Sequence, residues 1–387
     1  HRHDYLKDGE TECEICWTLK QMSGNILKGD FFTVTSKKEK TCLPLPGNCY
    51  LVTDTESTLR KRMKEDNYYI RSYSKNKPYS GYYVSTKLWV GDYVNGETFE
   101  ELGQRATGIE RIAVMRADVD NLGQAFVRGF ENEKNGSKYV TLSRTATFSR
   151  KLSMFFKYHI NSLLKEGGYS ILEEEVQMEK EDDRRNALIV YSGGDDIFIV
   201  GAWDDIIGFA VDLHDNLMEY SQDTLKISAG IGIYPSKYPI SIMARETGRL
   251  EEAAKSVEGK NAVALFDEKY TFPWEEFIEN VVEEKLYFIQ KYFKVVDEKG
   301  KNFLYNLLEL VRKRKEDKIN IARFAYLLGR MEPKVQRGEK KEEIEEKRDL
   351  HREFSRKMYE WIRVEKDAKE LEMAIYLYVY TKREKEE

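Results

Sequence analysis

The chain has 387 residues, enough for two or three domains that each bury a core of their own. Its formal net charge is -5 with 34% charged residues, so no global basic field marks it as a nucleic-acid binder and any such contact must be local. No apolar run is long enough to span a bilayer and no secretory signal pattern is present, so the chain reads as cytoplasmic.

All four cysteines lie near the N-terminus: Cys13 and Cys16 as Cys-x-x-Cys, then Cys42 and Cys49. In a reducing compartment such clustering argues for zinc before disulfides. Four thiolates would close a tetrahedral structural site, although the second pair is widely spaced, with Pro44, Pro46 and Gly47 between. Free thiols or a redox pair are the other readings, and His1 or His3 could replace one ligand. Tyr-rich stretches follow, Tyr68 to Tyr73 and Tyr82 to Val90, which alternate as strands do. Residues 1–108 thus read as a zinc-binding element and strands leading into the next domain.

From 109 to 270 the periodicity switches between strand and helix. Strands are expected at 111–117, 187–192, 197–202, 226–234 and 261–266, with helices at 121–130, 143–165, 204–220 and 241–257. That βααββαβαβ order is the ferredoxin-like pattern, and the acidic segment Glu173 to Arg185 reads as an exposed loop or hairpin interrupting it. From Pro273 the pattern turns helical, with Phe303, Leu307, Leu308 and Val311, then Phe324, Leu327 and Leu328, at three-to-four spacing. Glu332 to Arg348 reads as a charge-dense connection. The fold class is therefore α+β: a palm preceded by a zinc-binding element and followed by an all-α C-terminal domain, 271–387.

Two acidic motifs carry the chemistry. Asp118 and Asp120 close the apolar run that starts at Arg111, and Tyr191-Ser-Gly-Gly-Asp-Asp196 places two carboxylates at a two-glycine turn between apolar runs. Neighbouring strand residues point to opposite faces, so Asp195 and Asp196 approach one cation only where the backbone turns sharply, as Gly193 and Gly194 permit. Mg²⁺ or Mn²⁺ takes one or two carboxylates plus substrate phosphates, and a pair of such ions suits phosphoryl transfer. Asp118, Asp195 and Asp196 are the expected ligands. Asp120 is the weakest acid of the group and reads as a cap for the next helix.

Residues 109–270 resemble the second palm of the large subunit of type III-A (Csm) CRISPR effector complexes, a family that makes cyclic oligoadenylates from ATP. The resemblance rests on Asp118-Val-Asp-Asn-Leu-Gly, on Phe148-Ser-Arg-Lys-Leu-Ser-Met-Phe-Phe156, on the Gly-Gly-Asp-Asp turn, and on Ala254-Lys255-Ser-Val-Glu-Gly259-Lys260-Asn261. Diguanylate cyclases carry Glu-Phe where this chain has Asp196 and Ile197, so the resemblance to them is weaker. It implies Asp118, Asp195 and Asp196 as catalytic residues, with the Val119 carbonyl as a further metal ligand. It also implies that Lys255 reaches the triphosphate, that Gly193 and Gly194 leave room for nucleotide, and that Ser149, or almost as well Ser153, contacts adenine. Implied partners are ATP, guide RNA, target RNA and other Csm subunits, with the basic run Arg312 to Lys315 as a rim for a partner or phosphates. The family's first palm and nuclease domain find no counterpart in the sequence. The resemblance therefore implies that the chain alone supplies half of a two-nucleotide site. A different palm-type cyclase and a non-catalytic ribonucleoprotein scaffold are the alternatives.

Overall fold

The aromatic and β-branched run Phe31–Thr35 forms β1, the middle strand of a sheet ordered β2–β3–β1–β4–β5. Its companions are β2 (Leu43–Leu45), β3 (Cys49–Asp54), β4 (Tyr69–Lys75) and β5 (Thr86–Leu88). β1 pairs antiparallel with β3 and β4, while β5 runs parallel to β4. The helices Glu14–Lys28 and Glu56–Glu65 accompany this sheet, and Arg62 on the second donates to the buried Asp54 at 3.0 Å. The computed structural model describes residues 14–65, 67–77, 86–96, 98–131, 134, 136–173, 184–296, 302–315, 317–333 and 341–383. It divides into one unit up to Asp92 and another from Tyr93 onward.

The expected zinc site is not assembled among the described residues. Cys13, His1 and His3 lie outside them, and Cys16 sits near the start of a helix instead of in a turn. The β2–β3 register pairs Leu45 with Cys49 and Leu43 with Leu51, so Cys42 and Cys49 stand three positions apart along the hairpin. That is roughly 10 Å at strand rise, too far for two thiolates that must each lie about 2.3 Å from one ion. The Cys42 thiol instead donates to the Glu39 carbonyl at 3.1 Å, and Cys49 faces the Gly47 carbonyl at 3.5 Å.

The second unit is built on a six-stranded sheet, ordered β11–β10–β9–β6–β8–β7. The strands are β6 (Ile112–Val119), β7 (Ala187–Gly193), β8 (Asp196–Ala202), β9 (Ile227–Tyr234), β10 (Ala262–Leu265) and β11 (Thr271–Pro273). Within it β9–β6–β8–β7 is the antiparallel ferredoxin-like core expected from the sequence, and β10 extends it parallel to β9. Besides the short helix Phe99–Gln104, the helices are Leu122–Arg128, Trp203–Ser221, Ile240–Lys255, and Leu142–Met154 continuing through a π-helical turn, Phe155–His159, into Ile160–Glu166. The last four lie within a few residues of their expected spans, and Phe99–Gln104 was not expected.

β6 is buried on both faces, as a central strand covered by helices must be. Ile112 and Val114 pack with Leu102, Val200, Tyr234 and Met243 beneath the helix Ile240–Lys255. Ala113, Met115, Ala117 and Val119 face the larger core, which includes Phe156, Phe209 and Trp274 and continues into the C-terminal helices. Gly230 lets the helix Ile240–Lys255 come close to β9: a Cβ there would stand 2.3 Å from Glu251 N. That close approach brings the end of the helix to the end of β6.

The C-terminal region is all helical among its described residues. A π-helical segment Glu276–Leu286 runs into Tyr287–Val295, followed by helices Asn302–Arg312, Ile319–Gly329, Lys341–Arg363 and Glu365–Lys382. A fully buried ion pair, Lys285 Nζ to Glu370 Oε2 at 2.6 Å, ties the first of these to the last. The last helix also docks on the palm, where Ile109 N–H donates to the Tyr380 carbonyl at 3.0 Å. Two expectations change. The segment read as a connection from Glu332 to Arg348 contains the start of the Lys341–Arg363 helix, because its charges form the solvated face of an amphipathic stripe that buries Ile344, His351 and Phe354. Arg185, read as the end of an exposed loop, is buried against Asp212 and donates to the Tyr169 carbonyl at 2.6 Å, while residues 174–183 of that loop lie outside the described residues.

Candidate functional site

The acidic motifs meet because of strand register. β6 and β8 pair so that Asp118 stands directly opposite Asp196, on the same face of the sheet, and Gly193 pairs with Asp196 across the β7–β8 hairpin. The two-residue turn is therefore Gly194-Asp195. Of the two glycines only Gly194 takes a positive φ, 60°, and a Cβ there would meet open space, so its requirement is conformational. Gly193 is a buried strand residue whose missing side chain lets two neighbours close over it: a Cβ would lie 3.3 Å from the Tyr191 hydroxyl and 3.7 Å from Lys157 Cε.

Asp195 at the turn lies against Asp118. Burial first, then the charges of Asp118 and Asp196, push its carboxyl above the ordinary range, and a hydrogen bond from its acid form to Asp118 adds to the rise. The Val119 amide donates to the Asp195 carbonyl at 3.2 Å and holds the turn against the end of β6. Asp196 instead engages Tyr191, whose phenol is held above its usual pKa by that carboxylate's charge and hydrogen bond. The acids thus come as a close pair and a third turned to tyrosine. Among the described residues no group of three or more His, Cys, Asp or Glu side chains is spaced to hold a metal ion by itself.

Lys255 completes the cluster. Its Nζ is 2.6 Å from Asp118 Oδ2 and 2.6 Å from Glu251 Oε1. Burial works to lower its pKa, but the hydrogen bonds to the two carboxylates prevail and the net shift is upward. Glu251, itself buried, also pairs with Arg116 at 3.0 Å, so the charges alternate as Arg116, Glu251, Lys255, Asp118 across the β6 face.

The long helix reaches the hairpin at its π-helical turn, where Ser192 Oγ donates to the Phe156 carbonyl and the Lys157 stem lies across Gly193. Ser149 is exposed seven residues earlier, roughly 10 Å along the axis by helical rise, and half-buried Ser153 lies between. Asp120 does not cap the following helix, whose first flanking residue is Asn121. Its carboxylate turns into the protein and accepts from Ser228 Oγ at 2.8 Å and Asn261 N at 2.9 Å. Sequence reasoning missed Glu251, Arg116, Tyr191 and Lys157. Glu251 was within reach of it, standing four residues before Lys255 on a helix, but the others join only through the sheet. A cavity of about 350 Å³ lined by Gly103, Arg111, Pro235 and Lys237 lies at the opposite end of β6 and β9 from the acids and takes no part in this site.

A ferredoxin-like sheet with carboxylates at the end of its central strand and at the adjoining hairpin is the architecture of nucleotide-polymerising palms. Residues 111–264 match the family described as Cas10/Cmr2, second palm domain, and residues 290–384 match the second helical domain of the CRISPR RNA silencing complex Cmr2 subunit. The chain belongs to the Cas10/Csm1 family of type III-A CRISPR effector subunits. It is 42% identical, over 98% of its length, to the CRISPR system single-strand-specific deoxyribonuclease Cas10/Csm1 (subtype III-A) of Mycobacterium tuberculosis, of which it covers 45%. The protein of the same description from Streptococcus thermophilus is 39% identical over 95% of the chain, with 44% of that protein covered. The chain thus spans less than half the length of these relatives. A crystal structure of a Csm1–Csm4 cassette in complex with cA4 shares the fold, with a TM-score of 0.64 at 22% identity over 97% of this chain and 50% of that one.

Proposed function

We propose that this chain supplies the second palm of a nucleotidyltransferase that joins ATP into cyclic oligoadenylates, with release of pyrophosphate, inside an RNA-guided type III-A antiviral complex. The observation that carries the reading is the Asp118–Asp195 pair with Lys255 beside it. Support comes also from family membership and from the cA4 bound by the cassette of like fold. In this reading the palm occupies 109–270 and the helical domain 271–387, and guide RNA, target RNA and other Csm subunits are its partners.

The donor set suits Mg²⁺ or Mn²⁺, because two crowded carboxylates, one with its proton affinity raised, lack only a hard cation and phosphate oxygens. Asp118 and Asp195 would hold it, with Asp196 and the Val119 carbonyl as the remaining oxygens. A pair of such cations bound there would supply charge stabilisation for the attacking and leaving oxygens of an in-line displacement. The protein's own share is positional. Lys255 balances Asp118 and Glu251 in the nucleotide-free chain and would offer a positive charge to a triphosphate. Tyr191 orients Asp196, and Gly193 lets Tyr191 and Lys157 close over the hairpin. Ser149 and Ser153 line the helix that would face the base.

The test is to incubate the complex containing this chain with ATP, Mg²⁺ or Mn²⁺, and guide plus target RNA, and to identify products by mass. Cyclic oligoadenylates are expected from wild type and none from Asp195→Ala/Asp196→Ala in an intact complex. Undiminished synthesis by the double variant, or a product made from GTP in preference to ATP, overturns the reading.

A further inference from the structure

Asp120 stands two residues beyond Asp118 in an acidic motif that by spacing alone invites a ligand role for both. The structure separates them. Asp120 is 6% exposed, and its Oδ2 accepts from both Ser228 Oγ, at 2.8 Å, and Asn261 N, at 2.9 Å. Its own amide donates to the Lys226 carbonyl at 2.8 Å. Ser228 is the β9 residue that faces Asp118 in register. Asn261 ends a run of three residues with positive φ, Gly259 at 80°, Lys260 at 54° and Asn261 at 52°. Two of these are not glycine, so the turn occupies a region that L residues adopt at a cost and needs an external hold.

That turn is the exit of the helix bearing Lys255. It is gripped from one side by Trp274, whose amide donates to the Asn261 carbonyl at 3.0 Å and whose indole donates to the Ile227 carbonyl at 2.9 Å. Asp120 grips it from the other side. A buried carboxylate is tolerated where hydrogen bonds compensate for its lost hydration, and here both compensating bonds run to the elements that flank Asp118.

We propose that Asp120 is a positioning residue: through Ser228 and the Asn261 amide it clasps the Gly259–Asn261 turn to β6 and β9, and so sets the reach of Lys255 toward Asp118. It touches neither metal nor nucleotide. Its effect on synthesis rests on the function proposed above, while the clasp itself does not.

The isosteric Asp120→Asn separates the clasp from a ligand role. Oδ1 makes no hydrogen bond with the described residues, so an amide nitrogen in its place costs no bond, and the remaining oxygen still accepts from Ser228 and Asn261. Synthesis by Asp120→Asn should stay within about threefold of wild type. Asp120→Ala should fall about tenfold or more, chiefly through KM for ATP, as expected when a phosphate-binding lysine is displaced by about 1 Å. Ser228→Ala, which removes one bond of two, should fall between them. In a Lys255→Ala background Asp120→Ala should cost less than about threefold further, because the residue through which it acts is gone. Hydrogen exchange at the Asn261 amide, read on the full chain, should be fast in Asp120→Ala and protected in Asp120→Asn whether or not the preparation turns over ATP. An Asp120→Asn variant that is inactive with the Asn261 amide still protected would make Asp120 a ligand and overturn the proposal. So would unchanged Asn261 exchange in Asp120→Ala, or losses that simply add to that of Lys255→Ala. A wild-type preparation that made no oligoadenylate would count against the proposed function, and the exchange result would still decide the clasp.

Discussion

Lys255 Nζ stands 2.6 Å from Asp118 Oδ2 and shares its charge with Glu251 at the same distance. The lysine therefore occupies one face of the carboxylate that the proposed metal would use. In the proposed function, ammonium and cation would be alternatives at Asp118 until a triphosphate drew the lysine away. Replacing Lys255 with Met should weaken ATP binding by about tenfold, one charge-assisted contact's worth, yet tighten Mn²⁺ binding to the nucleotide-free chain. Calorimetry with each ligand alone reads both. Weakening of both would show that Lys255 organises the acids and does not compete for them.

Asp195 gives a pH signature. Its pKa is raised by burial and by Asp118 and Asp196, so the folded chain keeps a proton at a pH where the unfolded chain has released it. The sign follows from linkage: this contribution to stability is fully present below the unfolded value and is lost as pH rises through the higher folded value. In metal-free protein the unfolding midpoint should fall across that mildly acidic window, and Asp195→Asn should flatten the fall. An identical pH profile in the variant would show that the crowding is relieved in solution.

The buried Lys285–Glu370 pair predicts a strong asymmetry. Both side chains are fully buried, so Lys285→Met strands a carboxylate and should cost about 3–5 kcal/mol. Lys285→Met/Glu370→Leu removes both charges and should recover much of that loss. Chemical denaturation of the three proteins measures it. A double variant no better than the single one would place the cost in packing.

The basic run after Val311 is tied up within its own domain. Arg312 pairs with Glu372 at 2.9 Å and lies over Tyr376, Lys313 pairs with Glu309 at 2.6 Å, Arg314 donates to the Val311 carbonyl at 2.9 Å, and Lys315 pairs with Glu365. Glu372 is almost fully buried whereas Glu309 and Glu365 are exposed. Arg312→Ala should therefore lower the unfolding midpoint measurably, while Lys313→Ala or Lys315→Ala should leave it nearly unchanged. With three of the four charges matched by carboxylates, changing all four to Ala should leave the salt slope of RNA binding by the complex little altered. A shallower slope would restore the reading of this run as a phosphate contact.

The sequence by itself determined the palm. Period-two apolar runs, 3.6-residue stripes and a two-glycine turn are local signals, and each encodes its element through backbone and side-chain preferences acting within a few residues. The order of those elements then leaves one familiar sheet, so Asp118, Asp195 and Asp196 stood out from their motifs before any contact was seen, while Lys255 entered through the family resemblance alone. What only the tertiary structure decided depends on register and close approach between distant segments. Asp120 resembles its neighbour Asp118 in sequence, and only the placement of Ser228 and the Asn261 amide makes it a clasp. Lys157 reaches the hairpin because a helix packs beside an edge strand, and Tyr191 meets Asp196 only through the pairing of β7 with β8. Cys42 and Cys49 read as a pair by spacing, but the hairpin register sets them apart. A single residue's shift in register carries a side chain to the other face of the sheet, and local propensity is blind to which shift prevails.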